Sequence, residues 1–186
     1  FFVFTEAVKV RFENIKLNNN DVKSYILRTE SSSEITLKDA IMFNSTGGGV
    51  FMQSTSKLIL DDGAEIHDCE RENGGAVNMD SNNSSTTLEM MAGSSIHDCT
   101  ASSKGGAVYA KSGSLIMKGG EITSCSAENG GGVYVENGAS MTMSGGTISA
   151  CTARQGGGIY ANNGTITVSG GTLTGNTAAV EGGGVY

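Results

Sequence analysis

GGGVYVENGASMTMSGGTISACTARQ, residues 130–155, runs directly into GGGIYANNGTITVSGGTLTGNTAAVE, residues 156–181. Each stretch opens on glycines and holds short runs in which apolar and polar residues alternate. In the first these are Val133-Tyr134-Val135, Met141-Thr142-Met143 and Thr147-Ile148-Ser149. In the second they are Ile159-Tyr160-Ala161, Ile166-Thr167-Val168 and Thr172-Leu173-Thr174. Alternation with period two marks a strand with one buried face. The Gly-Gly and Asn-Gly pairs between runs allow the positive φ that sharp corners need. Three short strands and three corners in about 26 residues describe one coil of an all-β, right-handed parallel β-helix.

Working outward, the glycine tag recurs at Gly47-Gly48-Gly49-Val50, Gly74-Gly75-Ala76-Val77, Gly105-Gly106-Ala107-Val108 and Gly182-Gly183-Gly184-Val185. From one tag valine or isoleucine to the next, the steps are 27, 31, 25, 26 and 26 residues. Stacked coils place like residues above one another at about 4.8 Å. One inward column is Val50, Val77, Val108, Val133, Ile159 and Val185. The others are Leu58, Leu88, Leu115, Met141, Ile166; Leu60, Met90, Met117, Met143, Val168; and Ile66, Ile96, Ile122, Ile148, Leu173. A single coil cannot bury its inner face alone, so neighbours supply the stability. Proline is absent, as expected where every strand is central and needs its N–H. Residues 1–46 are less regular, yet Val10–Leu17 and Glu34–Ile41 lie about one period apart. They read as diverged N-terminal coils of the same solenoid, followed by regular repeats over 47–186, making about seven coils. The chain is expected to be a fragment of a longer array.

A net charge of −7 disfavours nucleic acid and anionic membrane surfaces as partners. No run is long and apolar enough to span a bilayer.

The tags look like the repeats of the chlamydial polymorphic outer-membrane proteins, which combine GGA[ILV] with FxxN. The first motif is met at Gly74-Gly75-Ala76-Val77 and Gly105-Gly106-Ala107-Val108. The second appears as Leu173-Thr174-Gly175-Asn176, and as Ile66-His67-Asp68-Cys69, Ile96-His97-Asp98-Cys99, Ile122-Thr123-Ser124-Cys125 and Ile148-Ser149-Ala150-Cys151, with cysteine in place of asparagine. The resemblance covers about 47–186 and extends to adhesin-like β-helix repeat proteins generally. It implies a secreted or cell-surface passenger for adhesion or scaffolding, with no catalytic residues to carry over.

The candidate chemistry is sparse. Cys69, Cys99, Cys125 and Cys151, continued by Asn176, form one column. They read as a buried thiol ladder, with pairwise disulfides as the alternative. His67-Asp68 and His97-Asp98 recur in adjacent coils and invite a divalent metal, but the next coils do not extend the set. Asp61, Asp62 and Glu65 resemble the carboxylates of polysaccharide-cleaving enzymes, without a matching basic column. Tyr109, Tyr134, Tyr160 and Tyr186, below Phe51 and Asn78, form an outward stripe. It either binds a sugar or partner surface or covers its own sheet.

The expectation is a non-enzymatic, extracellular or cell-surface structural or adhesin-like rod, without cofactor or metal. Its partners would be copies of itself or neighbouring repeats end to end, and surface glycans. The alternative is a fragment of a carbohydrate-active β-helix protein.

Overall fold

The computed structural model describes residues 1–20, 23–136 and 138–186. The described residues form strands, turns and connecting segments, with no helix among them. Successive coils stack strand on strand, and the strand pairs among the described residues are parallel, as in Val108–Ala110 on Val133–Val135. The first sheet holds seven strands, from Phe2–Phe4 through Leu27–Thr29, Val50–Met52, Val77–Met79, Val108–Ala110 and Val133–Val135 to Ile159–Ala161. An isolated bridge from Ile159 to Val185 continues it. These are the seven coils.

The four inward columns stack in the register read from the sequence. Val77, Val108, Val133 and Ile159 are Cα partners in turn. Leu58, Leu88, Leu115, Met141 and Ile166 pair likewise. So do Ile66, Ile96, Ile122, Ile148 and Leu173. Most of these side chains are fully buried, and burying each contributes about 1.5–3 kcal/mol. Val168, on the seventh coil, and Val185, which stacks on Ile159 at the start of the next, are 46% and 44% exposed.

The glycine tag has a double cause. Gly130 adopts φ 67°, which side-chain-bearing residues resist. Gly131 lies against the next coil: a Cβ there would sit 2.4 Å from the Thr152 carbonyl oxygen and 2.5 Å from that of Gly157. The third tag position holds a buried alanine at Ala76 and Ala107, whereas at Gly132 a Cβ would sit 2.7 Å from the Gly158 carbonyl oxygen.

The regular coils also carry a fourth short strand. Ser126–Asn129 pairs with Thr100–Lys104 on one side and Thr152–Gln155 on the other. This strand follows a residue in left-handed conformation: Asp98, Ser124 or Ala150, with φ of 52°, 54° and 53°. Its residues are mostly polar and half-exposed, so no apolar alternation announces it.

In the N-terminal region, Lys9–Asn18 pairs along its length with Glu34–Ser45. Glu34–Ser45 then pairs with both Lys57–Leu60 and Glu65–Asn73. The 31-residue step is absorbed by the polar segment 80–86 between Val77–Met79 and Thr87–Met90.

Candidate functional surfaces of the coil

The cysteine column lies wholly inside. Cys69, Cys99, Cys125 and Cys151 are free thiols, each at most 1% exposed. Every Sγ donates to the carbonyl two residues earlier, as in Cys99 to His97 at 3.2 Å and Cys151 to Ser149 at 3.4 Å. Burial pushes the Cys99 thiol well above its ordinary pKa. Their burial in the stack keeps all four from the exposed setting in which thiolates react. The column has polar ends. Asn176 accepts the Cys151 N–H at 3.0 Å and donates to the Ile148 carbonyl at 2.8 Å. At the other end Ser45 is the Cα partner of Cys69 and donates to the Gly48 carbonyl at 2.8 Å. The sequence reading missed Ser45; its place three residues after Met42, as Cys69 stands three after Ile66, was the available signal.

The tyrosine stripe stacks in the register read from the sequence and is only partly open; at Tyr109 and Tyr134 it covers its own sheet. Tyr109, Tyr134 and Tyr160 are successive Cα partners, and ring centroids lie 5.8, 4.9 and 5.0 Å apart from Tyr109 to Tyr186. Tyr109 and Tyr134 are only 6% and 4% exposed, whereas Tyr186 is 43% exposed. Lys104 covers the buried part, its Nζ 5.5 Å from the Tyr109 ring centre and 5.0 Å from that of Tyr134. The same ammonium pairs with Glu136 at 3.1 Å, and Tyr109 donates its hydroxyl to that carboxylate. Burial, and then Glu136, push the Tyr109 phenol far above its usual pKa. Only Tyr160 and Tyr186 leave ring surface for a partner.

The two histidines do stack. Their rings are 4.9 Å apart and 3° from parallel, with Phe43 stacked 5.2 Å beyond His67. Each Nδ1 meets the next aspartate, Asp68 or Asp98, at 2.7 Å. Nε2 of His97 meets Glu65 at 2.6 Å. Ring-nitrogen lone pairs lie in the ring planes, so parallel rings cannot aim both at one ion. Among the described residues no group of three or more His, Cys, Asp or Glu is arranged to hold a metal. Burial lowers the His97 pKa, but the carboxylates of Glu65 and Asp98 reverse this and leave it raised.

Of the three acids singled out, Glu65 is engaged by His97, while the Asp61 carboxylate accepts the Asp62 N–H at 3.0 Å. Among the described residues no helix is long and apolar enough to cross a membrane.

Parallel coils, seven stacked strands and columns of like residues define a β-solenoid. A family model described as a right-handed beta helix region matches residues 87–186, more than half of the chain. The chain belongs to that family. No curated protein and no solved structure matches it.

Proposed function

We propose that this chain is a non-catalytic, secreted or cell-surface rod that serves as an adhesin-like or structural element, as its resemblance to polymorphic outer-membrane protein repeats implies. The observation that carries this reading is how the outward polar groups are used. They tie one coil to the next instead of converging on a reacting centre. Glu89 accepts from Lys57 at 3.0 Å and Lys118 at 3.5 Å, linking three successive coils. Lys104 and Glu136 clamp the tyrosines, and Glu65 reaches across to His97. Such cross-links suit a stiff spacer that presents long faces to a partner.

The reading is tested in two arms. Beads carrying the chain should adhere to glycan-coated surfaces more than bare beads do. The soluble chain should release no new chain ends from neutral or acidic polysaccharides, with or without Ca²⁺. Turnover that disappears in Asp61→Asn and Asp62→Asn variants would establish a carbohydrate-active protein instead.

A further inference from the structure

The regular aromatic stripe breaks at Asn78, whose Cα partners are Phe51 and Tyr109. Tyr25 reaches in from an earlier coil. Its ring stacks on Phe51 with centroids 4.7 Å apart, and its hydroxyl accepts from Asn78 Nδ2 at 3.2 Å. Beside this pair opens a cleft of about 300 Å³ whose walls include Tyr25, Phe51, Arg71, Asn73, Asn78 and Asp80.

Three features of the cleft point to a ligand. Asn78 is only 7% exposed, yet its Oδ1 has no hydrogen-bond partner, and neither does the buried Oδ1 of Asn73. A buried acceptor left unpaired costs about 1–3 kcal/mol, so such atoms call for a donor. Second, the Arg71 guanidinium lies 4.6 Å from the Tyr25 ring centre and donates to the Gly47 carbonyl at 3.2 Å. That bond uses only Nη1 of its donors, so further N–H groups remain. Third, the stacked rings of Tyr25 and Phe51 add a small apolar edge to a mostly polar lining.

The charges around the cleft are balanced. Arg28 is paired with Glu30 at 2.9 Å, Asp80 with Lys111 at 2.6 Å, and Glu72 stands beside Arg71 on the rim. The complement is therefore a small uncharged molecule with hydroxyls that both donate and accept. We propose that this cleft binds a neutral hexopyranose residue of a glycan. Its hydroxyls donate to the amide oxygens of Asn73 and Asn78 as those side chains adjust and accept from Arg71, and one C–H edge meets the Tyr25–Phe51 stack. The volume, at the low end for small-molecule sites, suits one sugar ring. The proposal deepens the adhesive reading and rests on it for its use.

The test is titration of the isotope-labelled chain with methyl glucoside, galactoside and mannoside, and with the matching uronic acids. Side-chain amide signals of Asn73 and Asn78 should shift with at least one neutral sugar. Asn78→Leu keeps the side chain's shape and removes the acceptor; it should weaken binding by about tenfold or more while the chain stays folded by circular dichroism. Arg71→Gln, at a half-exposed position, should do the same without touching the core. Lys118→Gln, away from the cleft, should bind as the parent does. Silence at both amides with every neutral sugar overturns the proposal. So does a preference for the uronic acids, or unchanged binding in both cleft variants. Sugar binding without bead adhesion removes the adhesive role and leaves the cleft; adhesion that survives Asn78→Leu removes the cleft's part and leaves the role.

Discussion

The N-terminal coils and the regular coils turn the same corner with different chemistry. In 9–45 a single long strand, Lys9–Asn18 or Glu34–Ser45, runs through the bend. One residue in left-handed conformation makes the turn, Asn14 at φ 53° or Asp39 at φ 47°. In the regular coils the path is cut into Ala139–Met143 and Thr147–Ser149, with Ser144-Gly145-Gly146 between them. The inward register does not notice: Leu37 pairs with Leu60 and Met42 with Ile66 across the join. What defines a coil is thus the set of inward columns, and the corner is exchangeable as long as it reverses the chain in step.

The largest test of this equivalence is a buried charge. Leu37→Asp and Val133→Asp, both at fully buried positions, should each cost more than about 4 kcal/mol, because an unpaired carboxylate is left in an apolar stack. Chemical denaturation measures both. A mild Leu37→Asp would show that the N-terminal coils are not part of one cooperative core.

Next comes the outer column, where the two regions differ. Tyr134→Ala should cost about 3 kcal/mol, since its ring is covered and packed between two others. Arg28, two coils before Asn78 in the same column, is half-buried over Phe51 at 5.3 Å, and Arg28→Ala should cost about 1 kcal/mol or less. Equal costs would mean that Lys104 and Glu136 do not shield the tyrosines as described.

The corners give a smaller pair of effects. Gly131→Ala drives a methyl group into two backbone carbonyls of the next coil and should cost about 2 kcal/mol. Asp39→Gly relieves a left-handed side-chain-bearing residue while loosening the unfolded chain, so its net change should stay within about 1 kcal/mol. A costly Asp39→Gly would reveal a role for the carboxylate beyond the turn.

The smallest effect is the pH dependence of His97. Its pKa in the folded chain lies above the ordinary value, so the protonated form is favoured by folding. That contribution is fully present below the unfolded pKa and is lost as pH rises through the folded one. The stability gap between the parent and His97→Gln should therefore shrink from about pH 5.5 to about pH 8, by no more than roughly 1 kcal/mol at this half-exposed site. A gap that widens with pH would contradict the placement of Glu65 and Asp98 around the ring.

The column register was legible because side-chain direction alternates strictly along a strand and the period repeats. Val133, Met141 and Ile148 need only those two rules to be placed inside. The cysteine ladder followed from the same arithmetic. The cover over Tyr109 and Tyr134 did not, because Lys104 lies in a polar strand without alternation and Glu136 in a corner, and neither position carries a periodic signal. The cleft beside Asn78 was equally hidden, since Tyr25 and Arg71 reach it from coils of unlike sequence.

From the sequence alone came the repeat, the all-β solenoid, the inward columns and the buried thiols, all of which depend on local periodicity and near-neighbour stacking. The tertiary structure decided which outward groups are covered, which are tied across coils and where a concave surface opens. Those outcomes depend on how far long side chains reach between coils, on the extra residues of the 31-residue step and on left-handed corners that re-aim the chain. None of these has a period, so each had to be read from the folded chain.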